Sequence, residues 1–187
     1  MSLFVVISSP SGGGKDSVIN ELIKQLNNSA RLVTTTTREP RPGNKDGVDY
    51  FFVSREDFEE KIKNIKLVEY NNYAGNYYGI EKEKLENALA EHEIVFTQIE
   101  VNGKHNLDRQ NIPHLSIFLV PNDLEILADR IRRRGGVTEE VIKKRLEIAK
   151  NEIEQSADYD YRIVNKDGDF DQTVANIREI IIEHADA

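Results

Sequence analysis

The 187 residues suffice for one well-buried core and not for two ordinary domains, and the 39% hydrophobic and 31% charged content is that of a soluble globular chain. The formal net charge of −8 argues against nucleic acid as a general partner, because a polyanion is bound through a basic field that releases counterions. No apolar run approaches the roughly 20 residues that span a bilayer, nothing basic precedes Leu3 to Ile7 to make it a secretory leader, and the lack of cysteine removes disulfides, thiolate zinc and a cysteine nucleophile. The expectation is a cytoplasmic protein with no membrane partner, whose metal, if it has one, sits on oxygen or imidazole.

Leu3-Phe4-Val5-Val6-Ile7 is a short apolar run rich in β-branched residues, which predicts a buried parallel strand running into a glycine turn. After Lys15, Val18, Ile19, Leu22, Ile23 and Leu26 recur at helical spacing, so Asp16 to Leu26 is an amphipathic helix. Further strands are expected at Leu32 to Thr35, Ile94 to Glu100, Leu115 to Val120 and Arg162 to Val164, separated by segments long enough for crossover helices. That order predicts an α/β sandwich around a parallel sheet. From Thr34 to about Ala90 the texture changes: Pro40, Pro42, Gly43, Gly47, Gly75 and Gly79 punctuate short runs, and five of the seven tyrosines fall there, which suggests a ligand-facing insert. Within it, Ser54 and Asp57 form a capping pair for a short helix through Phe58 and Ile62, and a second helix is expected over Lys82 to Ala90. From Asp123 the pattern is helix, a break at Gly135-Gly136, then a long helix from Thr138 or Glu139 to about Gln155.

Between the first strand and first helix, Ser8-Ser9-Pro10-Ser11-Gly12-Gly13-Gly14-Lys15-Asp16-Ser17 stands where a phosphate-binding loop belongs. Glycines let successive N–H groups turn inward around phosphate oxygens, the helix N-terminus adds its dipole, and a lysine reaches the outer phosphates. The strict pattern G-x-x-x-x-G-K-[ST] fails twice, with Ser9 at the first glycine and Asp16 at the hydroxyl. Asp16 either coordinates Mg²⁺, directly or through water, or stabilises the helix N-terminus as acidic residues do there. Two basic clusters, Arg38 with Arg41 and Arg130, Arg132, Arg133, Arg134 with Arg145, suggest small phosphorylated ligands in an otherwise acidic chain, the alternative being a solvated charged face.

The run Thr34 to Gly43, then Asp46-Gly47-Val48-Asp49-Tyr50-Phe51-Phe52-Val53, Val68-Glu69-Tyr70 and Gly75-Asn76-Tyr77-Tyr78-Gly79, resembles the nucleotide-acceptor region of guanylate kinases. Arg130 to Gly135, Arg145 and Tyr161 to Asn165 are similar to that family's lid and adenine-side patterns, so the resemblance covers nearly the whole chain. It implies a three-layer P-loop NTPase core with a parallel sheet (residues 1–33, 91–125 and 151–187), an acceptor-binding insert (34–90) and a helical lid (126–150), in one domain. It implies an ATP-dependent kinase acting on GMP with Mg²⁺. ATP would be held by Ser11, Gly12, Gly13, Gly14, Lys15, Asp16, Ser17 and Asn165. GMP would meet Thr34, Arg38, Arg41, Tyr50, Glu69, Tyr78, Ile80 and Glu100. Lys15, Arg130, Arg134 and Arg145 would neutralise the transferring group, with Arg132 and Arg133 in solvent.

The sequence departs from that pattern at Asp16, at Ile80 where a Ser or Thr is expected, at Gln98 where Asp is usual, and at Glu100 in place of Asp. Asp16 and Ile80 resemble instead the ribose 1,5-bisphosphate kinases on the same fold, and with Gln98 they motivate a sugar-phosphate kinase as the alternative. A third possibility is a non-catalytic guanylate kinase-like module that binds phosphopeptides. Retention of Lys15, the three glycines and the lid arginines favours catalysis.

Overall fold

Leu3–Ser8 forms the first strand, β1, and a strand's period of two sends Val5 and Ile7 to one face and Phe4 and Val6 to the other, all four buried. Such two-sided burial belongs to a central parallel strand. The computed structural model describes residues 2–73, 75–134, 136 and 138–185. The first half continues through α1 (Lys15–Gln25), β2 (Ser29–Arg31), β3 (Thr35–Thr36), β4 (Phe51–Phe52), α2 (Arg55–Lys63), β5 (Leu67–Tyr73), β6 (Asn76–Glu81) and α3 (Lys82–Glu91). The second half comprises β7 (Ile94–Gln98), α4 (Val101–Arg109), β8 (Leu115–Pro121), α5 (Leu124–Arg134), α6 (Glu139–Gln155), a 3₁₀ turn at Ser156–Asp158, β9 (Tyr161–Asn165) and α7 (Phe170–Ala185).

The core sheet has the order β2-β7-β1-β8-β9, with every pairing parallel. On one face α1 and α7 bring Val18, Ile19, Leu22, Val174, Ile177 and Ile181 against Val5, Ile7, Phe96 and Ile117. On the other, Phe4, Val6 and Val95 meet Leu85 of α3, Leu107 of α4, and Val68 and Ile80. The result is the expected three-layer α/β arrangement. Each buried aliphatic side chain contributes about 1.5–3 kcal/mol, so this alternation dominates the cohesion of the layers. No helix among the described residues is long and apolar enough to cross a membrane.

One expected strand is corrected. Leu32 to Thr35 is not a single strand: Ser29–Arg31 pairs with β7, the Leu32 amide still donates to Phe96 O (2.8 Å), and the chain then leaves for a second sheet of order β4-β3-β6-β5. The reason lies in two buried hydroxyls that need partners. Thr35 Oγ1 donates to the Glu81 carboxylate and Thr36 Oγ1 to Tyr77 O (2.8 Å), and both acceptors lie in the strand of the second sheet that pairs with β3. α4 is one of the expected crossover helices, though its bounds were not read from the sequence, and α7 was not foreseen.

The two crossovers beside β1 run in opposite directions. The chain after β1 travels through α1 to β2 at one edge, whereas the chain after β7 travels through α4 to β8 on the far side of β1. The crevice so created at the carboxyl ends of β1 and β7 is where open α/β sheets place their ligands. The α5–α6 pair packs through Leu127, Ala128, Ile131, Ile142 and Ala149. Of the expected break between these helices, Gly135 lies outside the described residues, and Gly136 has a left-handed backbone (φ 75°).

Candidate active site

From the carboxyl end of β1 the chain turns through residues 9–14 into α1. The Gly13 amide donates to Pro10 O (2.8 Å), and Gly14 enters the helix at φ 92°, a backbone that favours glycine. A Cβ at Gly13 would lie 2.5 Å from Ser9 Oγ, so the loop closes only around a bare Cα. No side chain caps α1, which leaves its first-turn amides for oxygens brought from elsewhere. Lys15 Nζ lies 3.2 Å from Ser9 O, at the loop's mouth.

Two remote elements clasp this loop. Asn165 Nδ2, at the end of β9, donates to Gly13 O (2.8 Å), and Arg130 Nη1, on α5, donates to Gly12 O (3.4 Å) while Nη2 reaches Asp167 Oδ1 (2.6 Å). With Gly14, Ser17, Lys166 and Phe170 they line a cavity of about 330 Å³. Arg133, exposed as expected, also lines it. Arg132 is exposed as well, and there bridges Asp129 on its own helix and Glu139 on α6, both at 2.8 Å, because those carboxylates fall within its reach.

The second sheet builds the opposite wall. Pairing of β5 with β6 sets Glu69 opposite Ile80 and Asn71 opposite Tyr78, so these four side chains share one face. A register shift between Leu67 and Glu69 marks a bulge, which accounts for three successive buried residues where strict alternation would expose one. The cavity they form, about 200 Å³, is also lined by Lys15, Thr34, Tyr50, Tyr73, Gln98 and Glu100. Of the expected acceptor residues, Thr34, Tyr50, Glu69, Tyr78, Ile80 and Glu100 therefore meet around one space that opens on the loop lysine. Burial pushes the Glu69 carboxyl up to about 7, against a hydrogen bond from Asn106 and with the charge of Glu100 adding to the rise. Glu100, at the N-cap of α4, is likewise raised by burial, with Lys15 opposing.

The expected phosphate ligands are assembled less tightly. Tyr50 and Tyr78 stand edge to face with centroids 6.0 Å apart, and the Arg38 guanidinium lies 5.4 Å from the Tyr50 ring. Arg38 itself is turned onto Glu39 O and Asn44 Oδ1 and is not part of the cavity wall. Arg41 lines a neighbouring space of about 260 Å³, together with Ser9, Ser11, Lys15, Asp16, Gln98, Glu100 and, from α6, Arg145, Ile148 and Glu152. Arg145 thus faces the loop directly. The side chain of Arg134 lies outside the described residues.

Glu152 was not anticipated, although it stands seven residues after Arg145 and so on the same helical face. Burial raises its carboxyl to about 7, with Glu100 adding to the rise and Lys15 opposing it. Asn71 and Tyr73 were missed as well; the period of two from Glu69 would have found both. Asp16 has a partner that the sequence did not suggest: Arg31 Nη1 lies 3.0 Å from its Oδ1. Among the described residues, no group of three or more His, Cys, Asp or Glu is placed to hold a metal ion. What the crevice offers is the buried Gln98 Oε1, without a hydrogen-bond partner, beside Glu100 and Asp16. Such an all-oxygen set suits a hard cation that keeps waters and shares its coordination with phosphates.

A glycine loop at the switch point of a parallel sheet, clasped from β9 and α5, defines a P-loop NTPase, here with a second sheet enclosing a further cavity beside the loop lysine. The guanylate kinase family model matches residues 1–184. A guanylate kinase from Listeria monocytogenes serotype 4b is 45% identical over 164 residues, covering 87% of this chain and 80% of the relative. One from Rickettsia felis is 39% identical over 180 residues, covering 96% and 93%. The crystal structure of guanylate kinase from Anaplasma phagocytophilum superposes with a TM-score of 0.77 at 31% identity, covering 98% of this chain and 86% of that one. The chain belongs to the guanylate kinase family.

Proposed function

We propose that this chain transfers the γ-phosphoryl group of ATP to GMP, giving ADP and GDP. The observation that carries the reading is the shared wall: Lys15 lines both the Glu69 cavity and the space beside the loop, so a group seated on Glu69 is presented to the loop lysine. Guanine offers N1–H and an N2 amino group on one edge, and a carboxylate accepts from both. Adenine presents a bare N1 lone pair there and leaves the buried carboxylate unsatisfied.

In this reading residues 34–90 are the acceptor insert and 126–150 the lid. The glycine loop and Asn165 hold ATP, with Arg130 on the same side. Tyr50, Tyr78, Arg38 and Arg41 gather the acceptor's 5′-phosphate once Arg38 swings from Asn44. A phosphate oxygen of GMP attacks the γ-phosphorus in line, the bond to the β,γ-bridging oxygen breaks, and ADP leaves with that electron pair. Lys15, Arg130, Arg145 and Arg134 oppose the charge that spreads over the equatorial and leaving oxygens, and lid closure excludes water. Gln98 Oε1 and Asp16, directly or through waters, would hold Mg²⁺, which would supply neutralisation of the outer phosphates of ATP. The cytoplasm, where ATP and Mg²⁺ are at hand, is the compartment this chemistry requires.

Two departures that pointed to a sugar-phosphate acceptor have local physical reasons. Ile80 is 1% exposed and packs with Val68 and Leu85, and Asp16 is paired with Arg31. A single experiment tests the reading: Mg-ATP turnover against GMP, dGMP, AMP, CMP, UMP and ribose 1,5-bisphosphate. Highest kcat/KM with GMP is expected. An equal or higher value with AMP or the bisphosphate overturns it, and no turnover with any acceptor points to the binding module.

A further inference from the structure

We propose that Asn106 is a positioning residue for Glu69: its amide, held in one orientation, fixes which carboxylate oxygen meets which donor of the acceptor base and favours the anion that the base needs. The inference deepens the proposed function, since it rests on Glu69 as the group that reads guanine. Asn106 Nδ2 donates to Tyr70 O (3.0 Å) and to Glu69 Oε1 (3.4 Å), so both amide protons are aimed at β5. Its Oδ1 accepts from Arg109 Nη2, and a guanidinium has only donors to offer, which prevents the amide from flipping.

The helix itself is pressed against the carboxylate. Gly103, one turn before Asn106 and on the same face, lies so close that an added Cβ would stand 3.0 Å from Glu69 Oε1. Oε1 is therefore the oxygen held at α4, and this sets which carboxylate oxygen meets which of the two guanine donors. The other groups facing Glu69 are Glu100 at the N-cap of α4 and, across the cavity, Lys15, Tyr50, Tyr73 and Tyr78; Arg109 acts through Asn106. Burial drives the Glu69 carboxyl toward its neutral form and Glu100 adds to that, while the Asn106 hydrogen bond works the other way. A neutral carboxyl places a proton where guanine also brings one. The charged form is the one that binds.

The test is steady-state kinetics of Asn106→Leu beside the unmodified protein from pH 6 to 9, varying GMP at saturating ATP. Loss of one hydrogen bond to a charged group should move the acid limb of kcat/KM for GMP up by about one pH unit, which raises the KM for GMP about fivefold at pH 7 and nearly tenfold (~9-fold) at pH 6. The difference should shrink by pH 9, with kcat at saturating GMP and the KM for ATP nearly unchanged. GMP's own phosphate titrates identically for both proteins and cancels in the ratio. A KM raised equally at every pH would indicate a merely structural role and overturn the proposal, as would an unchanged KM. Should the leucine variant fail to fold, Asn106→Ser removes the Tyr70 and Glu69 contacts with less intrusion, and the same pH-dependent shift is expected. Glu69→Gln separates the two levels: if it leaves the KM for GMP unchanged, the base-reading role of Glu69 falls and this proposal with it. If it weakens GMP while Asn106→Leu does not, only the proposal fails.

Discussion

The loop after β1 and the cavity beside β5 and β6, which we propose hold ATP and GMP, are built by opposite means. The loop is made of backbone: three glycines, an uncapped helix start and one lysine, all within a dozen residues. The cavity is made of side chains gathered from β5, β6, β7, α4 and the segments around Thr34 and Tyr50. Backbone donors treat any phosphate alike, whereas a buried carboxylate accepts only a partner with donors in the right place. In the proposed reading, chemical power and selectivity reside in different parts of the chain and should be separable by mutation.

Lys15→Ala should produce the largest effect, a loss of about 10²–10³ in kcat for every acceptor that is turned over, since it removes a preorganised charge at the transferring group. Its melting temperature should stay close to that of the unmodified protein, and near-full activity would break the comparison at its first member. Glu69→Ala should act only on the second. The loss of a charge-assisted contact is worth about 1.5–3 kcal/mol, or roughly 10–150-fold in kcat/KM for GMP, with ratios among other acceptors preserved. A uniform loss across acceptors would show that the cavity does not select.

Glu152 joins the two regions and should be visible in stability rather than selectivity. Its carboxyl is raised to about 7, so between the ordinary 4.5 and that value the native state keeps a proton that the unfolded chain has released. Stability contributed by the neutral form is complete below 4.5 and disappears as pH rises through 7. Glu152→Gln should therefore melt higher than the unmodified protein at pH 8, by an amount on the order of 1–3 kcal/mol, with the advantage fading at pH 5. Equal shifts at both pH values would place the effect in packing instead. The smallest change is expected at Asp16, whose exposed pair with Arg31 is worth at most about 1 kcal/mol. There the informative measurement is the Mg²⁺ concentration for half-maximal rate, which should rise in Asp16→Ala and partly recover in Asp16→Ser.

The same contrast explains what was legible in advance. β1, the loop and α1 follow from local pattern: an apolar β-branched run, glycines, then Val18, Ile19 and Leu22 at helical spacing. The second sheet does not, because β3 and β4 are two residues each and their partners come from distant segments. Thr35 and Thr36 look like a continuation of the strand before them until Glu81 and Tyr77 are seen to hold their hydroxyls. α4 was expected only as a crossover of unspecified bounds, because Val101–Arg109 is polar and carries Gly103 in its interior, a residue explained by the close approach of Glu69 and not by helix propensity. Arg145 was recognised by resemblance, but Glu152, on the same face, required the helix to be followed for two further turns.

The central position of β1 also governs how the molecule is made. β1 is synthesised well before its two sheet neighbours, β7 and β8, which lie beyond the insert in the chain. Its four inward-facing apolar residues must wait without a sheet while the whole insert is translated, and the amide of Asn165 that steadies Gly13 arrives later still. Pairings between such distant segments fold slowly and leave sticky surface exposed meanwhile. The nascent chain thus exposes the apolar faces of β1 until β8 has left the ribosome, and a protein truncated before β9 would lack the clasp on its own phosphate loop.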